Sequence, residues 1–260
     1  MTSPTDETPP GIPAATVIVF RQPDRAAPPE LLLLERAGSM RFAGGATVFP
    51  GGRIDPADRT LAARLMPGAD PDLAAAQICA IRETLEETGL VLAPGKRVDI
   101  AEARDARALL LERGELAPVL ERFGWPLDPD ALVPFARWYP GHPRMFDTHF
   151  FLADLGTGAV DLAVDATENS HLFWASAQQA LAMADKGAIS VIYPTQRNLE
   201  RLAMYGDFEQ ARTHALAHPP RMITPWVELH NGEEHLTIRD DCGYPVIREP
   251  LATAKRAMRT

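Results

Sequence analysis

Glu83, Glu86 and Glu87 stand at i, i+3 and i+4, a spacing that puts three carboxylates on one face of a helix. Carboxylates held this close repel one another unless something positive lies among them. An all-oxygen set of this kind favours a hard divalent cation, Mg²⁺ or Mn²⁺, over Zn²⁺. Arg82 precedes them and is related to Glu86 by (i, i+4), so it reads as an orienting partner. A solvated acidic face is the rival reading of this spacing taken alone. Two neighbours weigh against it. Upstream, Phe49-Pro50-Gly51-Gly52 is a turn that ends a strand and lets backbone approach a ligand. Downstream, Gly89 stops the helix, so the acids occupy its last two turns, where the helix's own partial charge is also negative.

These residues resemble the signature of the Nudix hydrolases, G-x5-E-x7-R-E-U-x-E-E-x-G-U, with U a bulky apolar residue. Gly52 matches the first glycine, Asp58 stands for the first glutamate, and Arg82 to Leu90 match the rest. Thr84 departs from the first apolar position, and the stretch between Gly52 and Arg82 is longer than the signature's, which implies an insertion covering much of Leu61 to Leu73. A second stretch, Leu32-Leu33-Leu34-Glu35-Arg36-Ala37 with Arg41, Gly45 and Phe49-Pro50-Gly51-Gly52, resembles the L-L-T-x-R-[SA]-x3-R-x3-G-x3-F-P-G-G pattern of coenzyme A diphosphatases. Leu34 replaces its threonine. Together with Arg144 to Phe151, the insertion resembles the peroxisomal-type branch of those enzymes and its bacterial relatives.

The resemblance implies a Mg²⁺- or Mn²⁺-dependent cleavage of the diphosphate of CoA or acyl-CoA, giving 3′,5′-ADP and (acyl-)4′-phosphopantetheine. A diphosphate shields its phosphorus atoms with anionic oxygens, so a catalyst must neutralise charge, position a water and stabilise the leaving phosphate. Glu86 and Glu87 would be the principal metal ligands, with Glu83 a ligand or the general base. Glu168, six residues before Trp174, is the rival base. Arg36 and Arg41 are candidates for gripping phosphates through the guanidinium fork, and the backbone of Gly51 and Gly52 for approaching the metal or diphosphate. Asp58 would pair with Arg82 or reach the cation through water. ADP-ribose, NADH or a diadenosine polyphosphate would use the same chemistry with other specificity residues. A nucleotide-sensing module without catalysis is the third reading, although such modules commonly lose signature carboxylates and all three are present here. His142, His149 and His171 lack a zinc-ligand spacing and are left out of the metal site.

The elements that must position these groups follow from periodicity. Ala14 to Phe20, Glu30 to Arg36 and Ala46 to Phe49 read as strands. Asp70 is an N-cap with Pro71 in the first turn of a helix that runs to Thr88. Residues 101–125 form a second insertion of one or two helices, with the length of a lid or of a homodimer element. Strands resume at Leu132 to Tyr139 and Met145 to Ala153, and Ser176 caps a helix to Lys186. Helices follow at Thr195 to Met204 and Phe208 to His218, then strands at Ile223 to Leu229 and His235 to Ile238. The expected fold is an α/β/α sandwich with a mixed central sheet. Its parts are a lead-in over 1–12, a Nudix domain over 13–190 with insertions near 59–73 and 101–125, and a helical C-terminal extension over 191–260.

With 260 residues of which 46% are hydrophobic, the chain supports a substantial core, and one elaborated domain is expected. A net charge of −9 argues against nucleic acid or an anionic membrane as partner and suits a small nucleoside diphosphate derivative held with a metal. Cys79 and Cys242 are too few for a disulfide framework, so free thiols in a cytoplasmic setting are expected. No apolar run is long enough to span a bilayer, and the polar, proline-rich start does not read as a leader.

Overall fold

The computed structural model describes residues 10–24, 26–37, 44–156 and 169–258. In chain order its strands and helices are β1 (Ile12–Arg21), β2 (Glu30–Arg36), β3 (Ala46–Val48), β4 (Gly51–Arg53), α1 (Pro56–Leu65), α2 (Pro71–Thr88), α3 (Ile100–Arg113), α4 (Leu116–Phe123), β5 (Val133–Trp138), β6 (Phe146–Asp154), β7 (Asn169–Ala175), α5 (Ala177–Asp185), β8 (Ser190–Val191), α6 (Tyr193–Leu202), α7 (Phe208–Ala217), β9 (Met222–Ile223), β10 (Trp226–His230), β11 (Glu233–Thr237), β12 (Arg248–Pro250) and α8 (Leu251–Met258). Arg41 and Glu168 lie outside the described residues.

Strands β1 to β9 form one mixed sheet in which β1 is the hub. It runs parallel to β6 from Ile12↔Phe146 to Phe20↔Asp154, while its other edge meets β4 at Thr16↔Gly51 and β2 at Phe20↔Leu31. Because β2 and β4 share that edge, the sheet opens between them, and α2 packs across the opening against β1 and β4. The alternation of side chains along a strand explains the three layers. Ala15, Val17 and Val19 of β1, with Leu32 and Leu34 of β2, join α2, α3 and α4 in one core, whereas Ile18, Phe20, Leu31 and Leu33 join α5, α6 and α7 in the other. This is the α/β/α sandwich expected from the sequence.

Helix α2 starts where its local chemistry dictates. Asp70 accepts from the backbone N–H groups of Asp72 and Leu73 at 3.1 and 2.8 Å, with Pro71 in the first turn. It ends at Gly89, whose φ of 76° closes the last turn onto the Leu85 carbonyl. Its buried stretch Ala74-Ala75-Ala76 and Cys79-Ala80 is small enough to bring the helix close to the sheet on one side and to α1 on the other.

Several elements differ from expectation. Residues 51–53, read as part of a turn, add strand β4 to the edge of β1. The first insertion, expected near 59–73, forms most of α1 and the loop into α2, and the second is the pair α3 and α4, broken at Gly114 with φ 69°. Ala106, Leu110, Leu116 and Val119 are buried in the core shared with α2, so this pair is an integral layer. Helix α6 starts at Tyr193, ahead of the expected Thr195, because Pro194 sits in the first turn, where its missing N–H costs nothing. The strand expected over Ile223 to Leu229 is split: β9 pairs with β5 in the main sheet, and after Pro225 the chain enters a separate three-stranded sheet, β10-β11-β12. The C-terminal extension is therefore mixed rather than helical, and it shares the second core through Leu236, Ile238, Tyr244 and Ala254.

Candidate active site

The site is built on the last two turns of α2 where they face β4. Arg82 is its organising residue. Its side chain is 4% exposed and four carboxylates converge on it: Asp58 at 2.9 Å, Glu83 at 2.9 Å, Glu86 at 3.4 Å and Asp55 at 3.7 Å. Asp58 is the tightest of these, accepting from Nε and Nη2 at 2.9 and 3.0 Å in the fork geometry that suits guanidinium and carboxylate. Nη2 also donates to the Arg53 carbonyl at 3.0 Å, so one guanidinium ties α2 to β4 and α1. Asp58, itself 1% exposed, accepts the Asp55 backbone N–H at 2.9 Å, which fixes the start of α1.

The glycines are explained by what their missing Cβ atoms would meet. At Gly51 a Cβ would lie 2.3 Å from the Ala15 carbonyl oxygen in β1, and at Gly52 it would lie 2.3 Å from a Glu83 carboxylate oxygen. Gly51 also donates its N–H to Glu87 at 2.9 Å. The turn is thus the floor against which two of the three helix carboxylates rest. Burial pushes the Glu83 carboxyl up to about 7, reinforced by the charge of Glu86 and opposed by Arg82. In Arg82 burial works against the charge, but the hydrogen bonds to Asp58 and the charge of Glu83 outweigh it and raise its pKa. Cys79 lies beneath the site with its thiol 3.3 Å from the Arg53 carbonyl, and burial followed by the Glu83 charge pushes it strongly up, so it is an inert packing thiol.

The structure brings together Arg82, Glu83, Glu86, Glu87, Gly51 and Gly52. Arg36 stands apart: the antiparallel register Leu34↔Val48 and Glu35↔Thr47 places it at the turn end of the β2–β3 hairpin, opposite the end from which Gly51 departs. Two contributors escaped the sequence reading. Asp55 completes the ring around Arg82, and its signal was the Asp55-Pro56 start of a capped helix. Arg107 of α3 donates to the Glu86 carbonyl at 2.9 Å, placing a cation at the negative end of α2; no local motif marks it.

Among the described residues no three His, Cys, Asp or Glu side chains are arranged so as to hold a metal ion. The donor chemistry nevertheless fits a hard cation. Four carboxylates share one guanidinium, which leaves a local surplus of negative charge, and Glu86, 34% exposed, opens the cluster to solvent. Glu83, Glu86 and Glu87 supply only oxygen, the ligand type that Mg²⁺ and Mn²⁺ prefer.

Residues 11–193 match the family model described as the NUDIX domain, and the chain belongs to the Nudix hydrolase family. It is 29% identical to the acyl-coenzyme A diphosphatase NUDT19 of Gallus gallus over 232 aligned residues, covering 68% of this chain and 61% of that protein. The chain therefore spans about three-fifths of the length of that curated relative. Among solved structures it is similar to a NUDIX hydrolase from Alicyclobacillus acidocaldarius, with a TM-score of 0.66 and 29% identity over 78% of this chain and 96% of the other. No helix among the described residues is long and apolar enough to cross a membrane.

Proposed function

We propose that this chain is a Mg²⁺- or Mn²⁺-dependent diphosphatase that cleaves CoA or acyl-CoA to 3′,5′-ADP and (acyl-)4′-phosphopantetheine. The observation that carries the reading is the convergence of four carboxylates on Arg82, beside a glycine turn too tight for any Cβ. The CoA part is supported by the Leu32 to Gly52 pattern and by the similarity to an acyl-coenzyme A diphosphatase.

Glu86 and Glu87 would hold the cation, with Glu83 as third ligand or as general base. When bound, a divalent cation supplies neutralisation of the diphosphate charge and acidifies a coordinated water. Arg82 is a positioning residue: locked by Asp58, it sets the direction of Glu83 and Glu86 and does not face substrate. Glu83, its side chain 14% exposed and its carboxyl raised to about 7, is suited to taking a proton from the attacking water at neutral pH. Glu168 remains the alternative base. The backbone of Gly51 and Gly52 is the surface against which the diphosphate would lie. Arg36 and Arg41 would contact phosphate groups, Arg36 a phosphate other than the one beside Gly51, because the length of the hairpin separates the two.

Incubation with Mg²⁺ or Mn²⁺ and, separately, CoA, acetyl-CoA, ADP-ribose and NADH, with chromatographic analysis of products, tests the reading. The expected result is metal-dependent 3′,5′-ADP from the CoA species, lost in Glu86→Gln. Cleavage of ADP-ribose or NADH alone would keep the metal chemistry and remove the CoA assignment. Turnover that Glu86→Gln leaves intact would overturn the site.

A further inference from the structure

The hairpin β10–β11 stands out from the rest of the extension because its outer strand is apolar and exposed on both faces. Trp226 is 44% exposed, Val227 50% and Leu229 76%. Strand β10 is also an edge: β11 pairs with it on one side, and among the described residues no strand pairs on the other. Unguarded edges of this kind are usually blunted by lysine, by proline within the strand or by a bulge. Here the register Trp226↔Thr237 to His230↔Glu233 is unbroken and no lysine lies in Trp226-Val227-Glu228-Leu229-His230.

The turn decides which main-chain groups face outward. Asn231 and Gly232, with φ 52° and 83°, form the two-residue hairpin loop with both centres in the left-handed region. In such a loop the flanking pair, His230 and Glu233, exchanges hydrogen bonds, and bonded pairs then alternate. Glu228 and Trp226 therefore bond inward to β11, while the N–H and C=O groups of Val227 and Leu229 point to the free edge. Pro250 opposite His235 obeys the same alternation on the far side of β11, since a residue lacking N–H cannot sit in a bonded pair.

We infer that this edge pairs antiparallel with the same strand of a second copy of the chain. A two-fold axis at Glu228 satisfies every requirement at once. Val227 meets Leu229 of the partner subunit twice, so the four outward groups on each strand bond reciprocally and the four apolar side chains cluster on one face. On the other face Trp226 meets the imidazole of the second copy's equivalent of His230, an aromatic pair. At the axis the two Glu228 carboxylates face each other, and each is already held by its own Arg248 at 2.7 Å, so no unpaired like charge opposes the contact. Pro225, unable to donate, falls opposite the turn, where the ladder ends. The two three-stranded sheets become one of six strands. Five residues a side is a small contact beside the roughly 800 Å² per partner of a standard interface, so the dimer is concentration-dependent.

Light scattering and sedimentation of the full chain, from micromolar to submillimolar concentration, provide the test. The expected mass rises toward twice 28.4 kDa with concentration, and Leu229→Lys, which puts a charge on the edge without touching a buried group, holds it at the monomer value with an unchanged melting temperature. Glu228→Cys reads the register: a non-bonded antiparallel pair brings Cα atoms to about 4.5 Å, so mild oxidation gives a disulfide-linked dimer, while Leu229→Cys gives little. Both native cysteines are buried and stay out of the reaction. A chain that is monomeric across the range overturns the inference, and so does a dimer that Leu229→Lys leaves intact. A dimer lost in Leu229→Lys but not cross-linked through Glu228→Cys overturns the register.

Discussion

Replacing Asp58 with alanine strips the buried Arg82 of its two-pronged partner. The guanidinium stays 4% exposed and keeps only Glu83, Glu86 and the more distant Asp55 as counter-charges. Removing one partner of a buried pair costs about 3–5 kcal/mol because the other charge is left uncompensated; with Glu83 still 2.9 Å away, the lower end applies. For a chain of this size about 3 kcal/mol corresponds to a fall in melting temperature of roughly 6–12 °C. Arg82→Met alone leaves Asp58 buried among other acids and should cost a similar amount. The double variant discards both charges together, so its loss should be smaller than the sum of the singles, with a coupling of about 2 kcal/mol or more. Urea denaturation of the four proteins measures this directly. A single-variant loss below about 1 kcal/mol, or strict additivity, would refute the assignment of Arg82 as the staple between α2, β4 and α1.

Three other outcomes follow from the same geometry. Gly52→Ala puts a methyl 2.3 Å from a Glu83 oxygen; displacing that carboxylate should lower kcat at least about 10-fold, with a smaller effect on KM, and steady-state kinetics checks it. The Glu83 carboxyl is raised from 4.5 to about 7, so its contribution to stability is fully present below pH 4.5 and disappears as pH rises through 7, up to about 3 kcal/mol. The metal-free protein should accordingly gain more melting temperature from Mg²⁺ at pH 8 than at pH 5.5, and equal gains would contradict the shift. Arg107→Ala removes the donor to the Glu86 carbonyl at the end of α2 and should cost about 1 kcal/mol, seen as faster amide exchange in residues 84–88.

Short-range chemistry carried much of the fold into the sequence. The capped start at Asp70-Pro71, the stop at Gly89 and the carboxylate spacing are decisions made within one helix, and they are readable wherever the helix ends up. The continuous apolar runs of β1 and β2 likewise declare strands buried on both faces. What the linear pattern did not hold is anything set by residues far apart in the chain. The partnership of Arg82 with Asp58 of α1 follows from the signature resemblance only as one of two options, Arg82 or the cation, and the structure decides for Arg82 at 2.9 Å, with Glu86, the partner that local spacing offers, at the longer 3.4 Å. Arg107 approaches α2 only because α3 packs there. Strand β4 is too short and glycine-rich to read as a strand, and β1 makes it one by offering an edge. The two helices of the extension and the strand stretches Ile223 to Leu229 and His235 to Ile238 are legible in the sequence, whereas the division of the first stretch between the main sheet and a separate one, and the third strand β12, exist only through pairing. Helical and capping information is local in sequence; pairing and buried charge compensation exist only once distant segments meet, and for this chain those long-range contacts decide how the Nudix carboxylates are held.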